Sequence, residues 1–251
     1  MTTSPSRLAA AGFVLICAAS HVAAQIPDKF TNLQVLPKDA TKAQVVEAMR
    51  GFAGALGVRC NHCHVGENVM TLEGFNFAAD DKETKKVARA MMQMTREINE
   101  KLLPAIGRQK VVEVRCITCH RGLSKPETLD RILLATVDEK GVPAAIDQYK
   151  ELRGTSFGRG GYDFSFRTLN VVAETLARGR NDLDGAIAVT RANLEFNQDD
   201  ANLHCFLGEL LVRKEDKPSA LGEYKRCLEL APDNQRAKAQ IEALSAAPKA
   251  P

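Results

Sequence analysis

The chain of 251 residues contains no tryptophan, and aromatic residues make up only 5% of it. It also lacks a concentrated basic stripe, because its net charge of +3 comes from 34 basic and 31 acidic residues spread along the sequence. Binding to nucleic acid requires clustered cations that neutralise phosphates, so we expect no nucleic-acid partner. With 45% hydrophobic residues the chain can bury a core, which leucine, alanine, valine and methionine must fill.

The sequence also lacks an apolar run long enough to cross a bilayer. Its N-terminus has Arg7, a short apolar run over 8–19 and small residues over 20–25. This order is typical of a secretory signal peptide, which we place at 1–24. We therefore expect an exported, periplasmic protein without a retained transmembrane helix, in a compartment where thiols oxidise. A retained membrane anchor is the alternative.

Two helices are predicted in the first part of the mature chain. Thr41 and Gln44 form a capping-box signature, and the helix that follows ends at Gly57. Asp80 and Glu83 signal the start of the second helix, which Pro104 is expected to stop. Apolar residues recur at helical spacing in both, at Val45, Met49, Phe52 and Leu56 in the first and at Val87, Met91, Met94, Ile98 and Leu102 in the second.

From about residue 137 the sequence changes to alanine-rich helical pairs. Residues 201–234 carry the spaced features of a tetratricopeptide repeat, namely Leu207-Gly208, Ala220, Tyr224 and Pro232. A weaker copy covers about 167–200, with Ala186 one period before Ala220, and 141–152 is typical of the second helix of a more degenerate unit. The predicted fold is mainly α, with one helical domain over 25–136 and tetratricopeptide-like helical hairpins over 137–251. Such hairpins bind protein partners, or act only as a cap on the first domain.

The motif VRCNHCH at 58–64 returns at 114–120 as VRCITCH. A Cys-x-x-Cys pair places two sulfurs at the separation of the two vinyl groups of haem, and the histidine after it reaches the iron. The sequence therefore predicts two covalently bound haem c groups, with thioethers at Cys60 and Cys63, and at Cys116 and Cys119. His64 and His120 are the predicted proximal iron ligands.

Two other chemistries use paired cysteines. Four cysteines can hold a zinc ion, but zinc does not explain the histidine after each pair or the long gap between the pairs. A redox-active dithiol belongs in a βαβ pattern, and the sequence shows none. Covalent haem is the better interpretation of the motifs.

Histidines are too scarce to supply a second axial ligand to both irons, because the chain has only five. Methionine is the remaining good ligand, and it raises the reduction potential of haem iron. Met49 lies at the centre of the first apolar helix face, eleven residues before Cys60. On the second helix, one of Met91 and Met94 is expected to bind iron while the other packs.

The segments NLQVLPKDATKAQVVEAMRGFAGALGVRCNHCH, KKVARAMMQMTREIN and VRCITCHRG, all within 31–126, resemble the cytochrome c subunit of photosynthetic reaction centres. In that family a helix that supplies an axial methionine precedes each Cys-x-x-Cys-His motif. The resemblance implies Met49 with His64 on one haem. It implies Met91 with His120 on the other, because Met-x-x-Met-Thr-Arg falls on 91–96. The family subunit carries four haems and this chain two motifs, so we expect a stand-alone dihaem relative.

The expected function is one-electron transfer without catalysis, to or from a redox partner protein in the periplasm or at the membrane surface. The C-terminal hairpins are expected to dock a protein partner. Two alternatives stay open: a peroxidase-like enzyme or haem sensor with one open iron, and an assembly protein in which the repeats dominate and the haems are structural. For Cys205 and Cys227, one on each helix of a repeat, two buried free thiols are slightly favoured over a disulfide.

Overall fold

The computed structural model describes residues 26–108 and 110–246, and the predicted signal peptide at 1–24 lies outside them. The described residues are mainly helical and contain no strand beyond an isolated antiparallel bridge between Val65 and Asn76. The α-helices found in them are α1 (Lys42–Leu56), α2 (Glu83–Glu97), α3 (Leu103–Ala105), α4 (Cys116–His120), α5 (Leu129–Lys140), α6 (Val142–Ser156), α7 (Phe166–Glu174), α8 (Leu183–Leu194), α9 (Ala201–Arg213), α10 (Lys217–Leu230) and α11 (Gln235–Ser245). The mainly α prediction is confirmed.

The chain divides into two compact units that differ from the expected domains. The first unit covers the chain to residue 49 together with 59–107, and the second covers 50–58 together with everything from 108. The expected boundary after residue 136 falls inside α5, within the second unit. The division of the chain into a haem-binding part and a repeat part stays a prediction.

Helix α1 begins as the sequence predicts. The backbone N–H of Thr41 donates to Gln44 Oε1 at 2.8 Å, and the N–H of Gln44 points back to Thr41 Oγ1 at 3.4 Å. These reciprocal bonds satisfy donors that a helix N-terminus leaves free. At the other end, Gly57 adopts a φ of +67°, which glycine tolerates best, and stops the helix.

Helix α2 begins where the sequence predicts. It starts at Glu83, after Lys82. The Asp80 carboxylate forms ion pairs with Lys85 and Arg89, which both lie on this helix.

Pro104 lies at the end of the second helix, because the helical run that begins at Glu83 ends at Ala105, one residue after the proline. After Glu97 the chain continues as a π-helical segment, Ile98–Leu102, and then as α3, which contains the proline. The N–H of Leu103 donates to the carbonyl of Ile98, five residues back. The wider π turn relieves the clash that a proline ring otherwise makes with the carbonyl four residues before it.

The core of the second unit lies between consecutive helix pairs, α5 with α6, α7 with α8 and α9 with α10. Each fully buried leucine there contributes on the order of 2 kcal/mol by leaving water. The side chains that form this core include Leu129, Leu133, Ala145, Tyr149, Leu169, Val172, Leu176, Val189, Leu207 and Leu210. The predicted helical hairpins are therefore present, and the earliest is α5 with α6.

The tetratricopeptide positions are the contact points between α9 and α10. Ala220 is fully buried, and a Cβ on Gly208 would lie 3.1 Å from the ring of Tyr224. The glycine thus makes room for the tyrosine of the facing helix. Ala186, one repeat earlier, is also fully buried on α8. These small residues allow the helices of each pair to approach closely.

The expectation of two free thiols in this repeat was wrong. Cys205 on α9 and Cys227 on α10 form a disulfide, with their Cα atoms 5.4 Å apart. Cys227 is fully buried, and Asn234 Nδ2 lies 3.6 Å from both sulfurs. Position 227, where a small residue is expected, therefore holds a disulfide-bonded cysteine, whose side chain is also small.

We expect the Cys205–Cys227 disulfide to stabilise the repeat region by about 3 kcal/mol, because it closes a loop with a sequence separation of 22 residues in the unfolded chain. Urea unfolding of the exported protein, followed by circular dichroism, should show a lower midpoint after reduction by dithiothreitol. The matched control is the double variant Cys205→Ser with Cys227→Ser, whose midpoint should not respond to the reductant. An unchanged midpoint for the parent protein would contradict the expectation.

Candidate functional site

The first Cys-x-x-Cys-His motif forms a single tight turn directly after α1. Cys60–His62 is a 3₁₀ helix, and the N–H of His64 donates to the carbonyl of Cys60 at 3.0 Å. Cys60 is exposed, whereas Cys63 and His64 are half-buried. The turn therefore gathers two thiols and the imidazoles of His62 and His64 within five residues.

The second motif forms the short helix α4. The N–H of Arg115 donates to Thr118 Oγ1 at 3.0 Å, and the N–H of Thr118 donates to the carbonyl of Arg115 at 2.9 Å. This exchange starts the helical turn, which ends at His120 because the next residue, Arg121, takes a left-handed φ of +47°. Cys119 is exposed and His120 is buried, so this turn also presents a thiol outward and its histidine inward.

The His120 ring is held in the orientation that metal binding requires. Its Nδ1 lies 2.7 Å from the carbonyl oxygen of Leu123. Because a carbonyl oxygen only accepts, Nδ1 must carry the proton, and Nε2 keeps a lone pair. Metal-ligating histidines usually have such a partner, which fixes the tautomer.

The His64 ring is also prepared as a neutral ligand. Burial, followed by the charge of Lys85, lowers the pKa of His64, while the nearby Phe77 backbone acts against this shift. Nevertheless, its buried Nδ1 forms no hydrogen bond of good geometry with any described residue. The Phe77 ring packs edge-on against the imidazole, with 5.2 Å between ring centroids. A half-buried imidazole whose pKa is lowered offers its lone pair to a metal more readily than an ordinary histidine does.

The first turn of α2 binds the backbone of the first motif. Lys82 Nζ donates to the carbonyl of Asn61, and Thr84 Oγ1 donates to the carbonyl of His62. Burial also raises the pKa of the Cys63 thiol, against the opposing effect of Thr84, so this sulfur stays protonated at neutral pH. These contacts fix the position of the motif relative to the helix that carries Met91.

Within the second unit, the second motif is anchored by contacts on two sides. The N–H of Gly122 donates to the carbonyl of Ala55 at 2.9 Å, in the last turn of α1. On the other side, a Cβ on Gly161 would lie 3.2 Å from Leu123, which immediately follows the motif. Gly161 belongs to the loop between α6 and α7, so the repeat region itself supports the turn that holds His120.

Apolar side chains around the motifs are unusually exposed. In the described part of the first unit, Val45 is the one buried apolar side chain. Large apolar side chains exposed in that unit are Val65, Met70, Val87, Met94, Leu102 and Ile106, and those beside the second motif are Val111, Val112 and Ile117. Exposed apolar side chains of this kind are available to pack against a large apolar group such as a haem macrocycle.

The predicted methionine ligands lie on the helices that precede the motifs. Met49 is half-buried on α1, and Met91 is half-buried on α2, where its carbonyl accepts a hydrogen bond from Thr95 at 2.8 Å. Met94 is 45% exposed. Iron ligation by Met49 and Met91 stays a prediction at this point.

A sequence model of the family described as "Photosynthetic reaction centre cytochrome C subunit" matches residues 13–152, more than half of the chain. The chain belongs to this family. Membership implies covalently bound haem c, which agrees with the thiols and oriented histidines of the two turns.

Several curated proteins are similar to the chain over part of its length. Cytochrome c-554 of Chloroflexus aurantiacus is 34% identical over 90 residues, which is 36% of this chain and 20% of that protein. A photosynthetic reaction center cytochrome c subunit of Roseobacter denitrificans is 36% identical over 104 residues, 41% of this chain and 26% of that protein. The subunit of Rubrivivax gelatinosus is 29% identical over 38% of this chain and 30% of its own. The chain thus spans less than a third of the length of these relatives.

One solved structure, titled "First TPR of Spaghetti (RPAP3) bound to HSP90 peptide SRMEEVD", covers 47% of this chain and 87% of its own. Its TM-score is 0.33 and its identity 18%, a likeness too low to carry an argument. Separately, no helix within 26–108 or 110–246 is both long and apolar enough to span a membrane.

Sequence reasoning missed three parts of the site. It did not identify the Leu123 carbonyl, the contact of Gly122 with Ala55, or the partnership of Asp80 with Lys85 and Arg89. The contact between Gly122 and Ala55 joins residues 67 positions apart. Only the glycines at 57 and 122 hinted at it, because glycine often marks close approach of backbones.

We expect Gly57→Ala to damage the second motif. A Cβ at position 57 would clash with the carbonyl oxygen of Gly122, and the φ of +67° adds strain, together about 2 kcal/mol or more. The thermal unfolding midpoint and the haem content should both fall. The control is Gly158→Ala, whose φ of +77° is similar but whose Cβ would meet nothing within 4 Å. Equal losses in the two variants would contradict a specific contact with Gly122.

Proposed function

We propose that the chain is an exported dihaem c-type cytochrome that transfers single electrons between partner proteins. The observation that carries the proposal is the pair of Cys-x-x-Cys-His turns, in which His120 is buried and His64 is half-buried. The exposed apolar side chains around both turns, and the family match over 13–152, support it.

The protein residues hold and tune the cofactor. Cys60 and Cys63 would form thioethers to one haem, and Cys116 and Cys119 to the other. His64 and His120 would bind the irons as neutral imidazoles. Bound haem supplies the one-electron couple between Fe(II) and Fe(III). One electron enters from a reduced partner and one leaves to an oxidised partner, so no substrate bond is made or broken.

Met49 and Met91 are proposed as the second axial ligands. Thioether sulfur favours ferrous iron and so raises the reduction potential of the haem. The half-buried position of Met91 supports it over Met94, which is 45% exposed and faces water. The family resemblance of 91–96 favours the same choice.

Export to the periplasm is part of the proposal, with 1–24 as a cleaved signal peptide. The Cys205–Cys227 disulfide supports it, because such bonds persist in oxidising compartments. The redox partner would be a periplasmic or membrane-surface protein. Two relatives are named as reaction centre subunits, but this chain spans under a third of their length, so we propose no reaction centre partner.

The helical region over 137–251 has two proposed roles. It supports the second haem-binding turn through Gly161, and its remaining helix faces would dock a protein partner. The same region is assigned to tetratricopeptide-like hairpins, in which docking is a common role. The haem-binding part of the chain would cover 25–136.

The matured protein is expected to bind two haems per chain, measured as pyridine haemochrome against protein concentration. Replacing both cysteines of either motif by serine should remove one haem of the two. The matched control is Cys205→Ser with Cys227→Ser, which also removes two cysteines but should keep both haems. Fewer than two haems in the parent protein, or haem loss in the control, would contradict the proposal.

A further inference from the structure

A buried cluster of charges lies beside the first motif, at the start of α2. Lys85 is 8% exposed and is the one buried lysine or arginine among residues 26–108 and 110–246. Its ammonium donates to the carbonyls of Phe77 at 2.9 Å, Ala78 at 3.2 Å and Ala79 at 2.6 Å. It also lies 2.9 Å from Asp80 Oδ1. All of its donors are used, so this charge is fixed in place.

The cluster carries a net positive charge. Asp80 Oδ1 pairs with Lys85 and, at 2.8 Å, with Arg89 Nη2. The guanidinium of Arg89, with help from Asn32 and Lys85, holds the pKa of Asp80 well below its usual range. The carboxylate is therefore ionised, and two cations share one anion. The Arg89 side chain is 16% exposed, so solvent screens this charge less than it screens a surface residue.

This charge is directly connected to the proposed iron ligand. Phe77, whose carbonyl accepts from Lys85, packs its ring against the ring of His64. The second motif has no such neighbour among the described residues, since Arg115 and Arg121 beside it are exposed.

We propose that the cluster of Asp80, Lys85 and Arg89 raises the reduction potential of the haem held by the first motif above that of the second. The inference rests on the proposed dihaem function. Reduction adds an electron to the iron, and a nearby buried positive charge stabilises the added electron. The cluster thus gives the two haems different potentials although their motifs and proposed ligands are alike.

The test is a spectroelectrochemical titration of the full-length matured protein and three variants. Lys85→Met should lower the reduction potential of one haem by about 59 mV. At a fixed applied potential, the ratio of reduced to oxidised haem then falls about tenfold, because one electron is transferred. Asp80→Asn should raise the potential of the same haem. The control Lys86→Met, which removes the adjacent but 54% exposed charge, should change neither haem.

The opposite signs separate charge from structure. A merely structural role predicts that Lys85→Met and Asp80→Asn, which both break the cluster, shift the potential in the same direction. A shift in the same direction in both variants, or no shift in either, would overturn the inference. The proposed function would still stand if the protein binds two haems. The shifted haem should be the one that is lost when Cys60 and Cys63 are replaced by serine.

A fourth variant, Arg89→Gln, is needed if Lys85→Met does not take up haem at the first motif. The inference is then supported if Asp80→Asn raises the reduction potential of that haem and Arg89→Gln lowers it. Any other pair of shifts overturns the inference. If the parent protein binds fewer than two haems by pyridine haemochrome, the proposed function fails and the inference fails with it.

Discussion

Apolar burial is unevenly distributed along this chain, and the other features of the structure depend on that constraint. The helix pairs after residue 129 bury leucines, alanines and tyrosines against one another. The described part of the first unit buries only Val45 of its apolar side chains. A segment with so little core needs another large apolar group to pack against. The two Cys-x-x-Cys-His turns provide the means of attaching one, and the exposed valines and methionines around them provide the surface.

The helical repeats also support the second Cys-x-x-Cys-His motif. They contain the larger core, and the loop between α6 and α7 contacts the residues that follow the second motif, through Gly161 and Leu123. Leu123 in turn supplies the carbonyl that orients His120. The repeat region therefore packs against the residue that orients His120, a histidine that lies earlier in the chain. Truncation after residue 136 would remove this support, so it would not isolate a docking function of the repeats.

Local signals in the sequence predicted the parts of the structure that depend on neighbouring residues. The Thr41 cap, the tight turns at the two Cys-x-x-Cys-His motifs and the small residues at Ala186 and Ala220 follow from short patterns. The errors arose at side chains whose partners lie far away in the sequence or compete with one another. Free thiols were favoured for Cys205 and Cys227, which pair across two helices, and the ion pairs of Asp80 with Lys85 and Arg89 were not foreseen. The spacing of residues in the sequence does not reveal which of several possible partners a side chain will bind.

The central claim is that both irons of the matured protein hold a histidine and a methionine. The most direct test is the visible spectrum of the dithionite-reduced protein before and after the addition of carbon monoxide, which binds only to an open or easily opened ferrous site. The account predicts no change in either haem, because each iron already has two strong protein ligands. A shift of about half of the haem absorbance would show that one iron is open, and would contradict it.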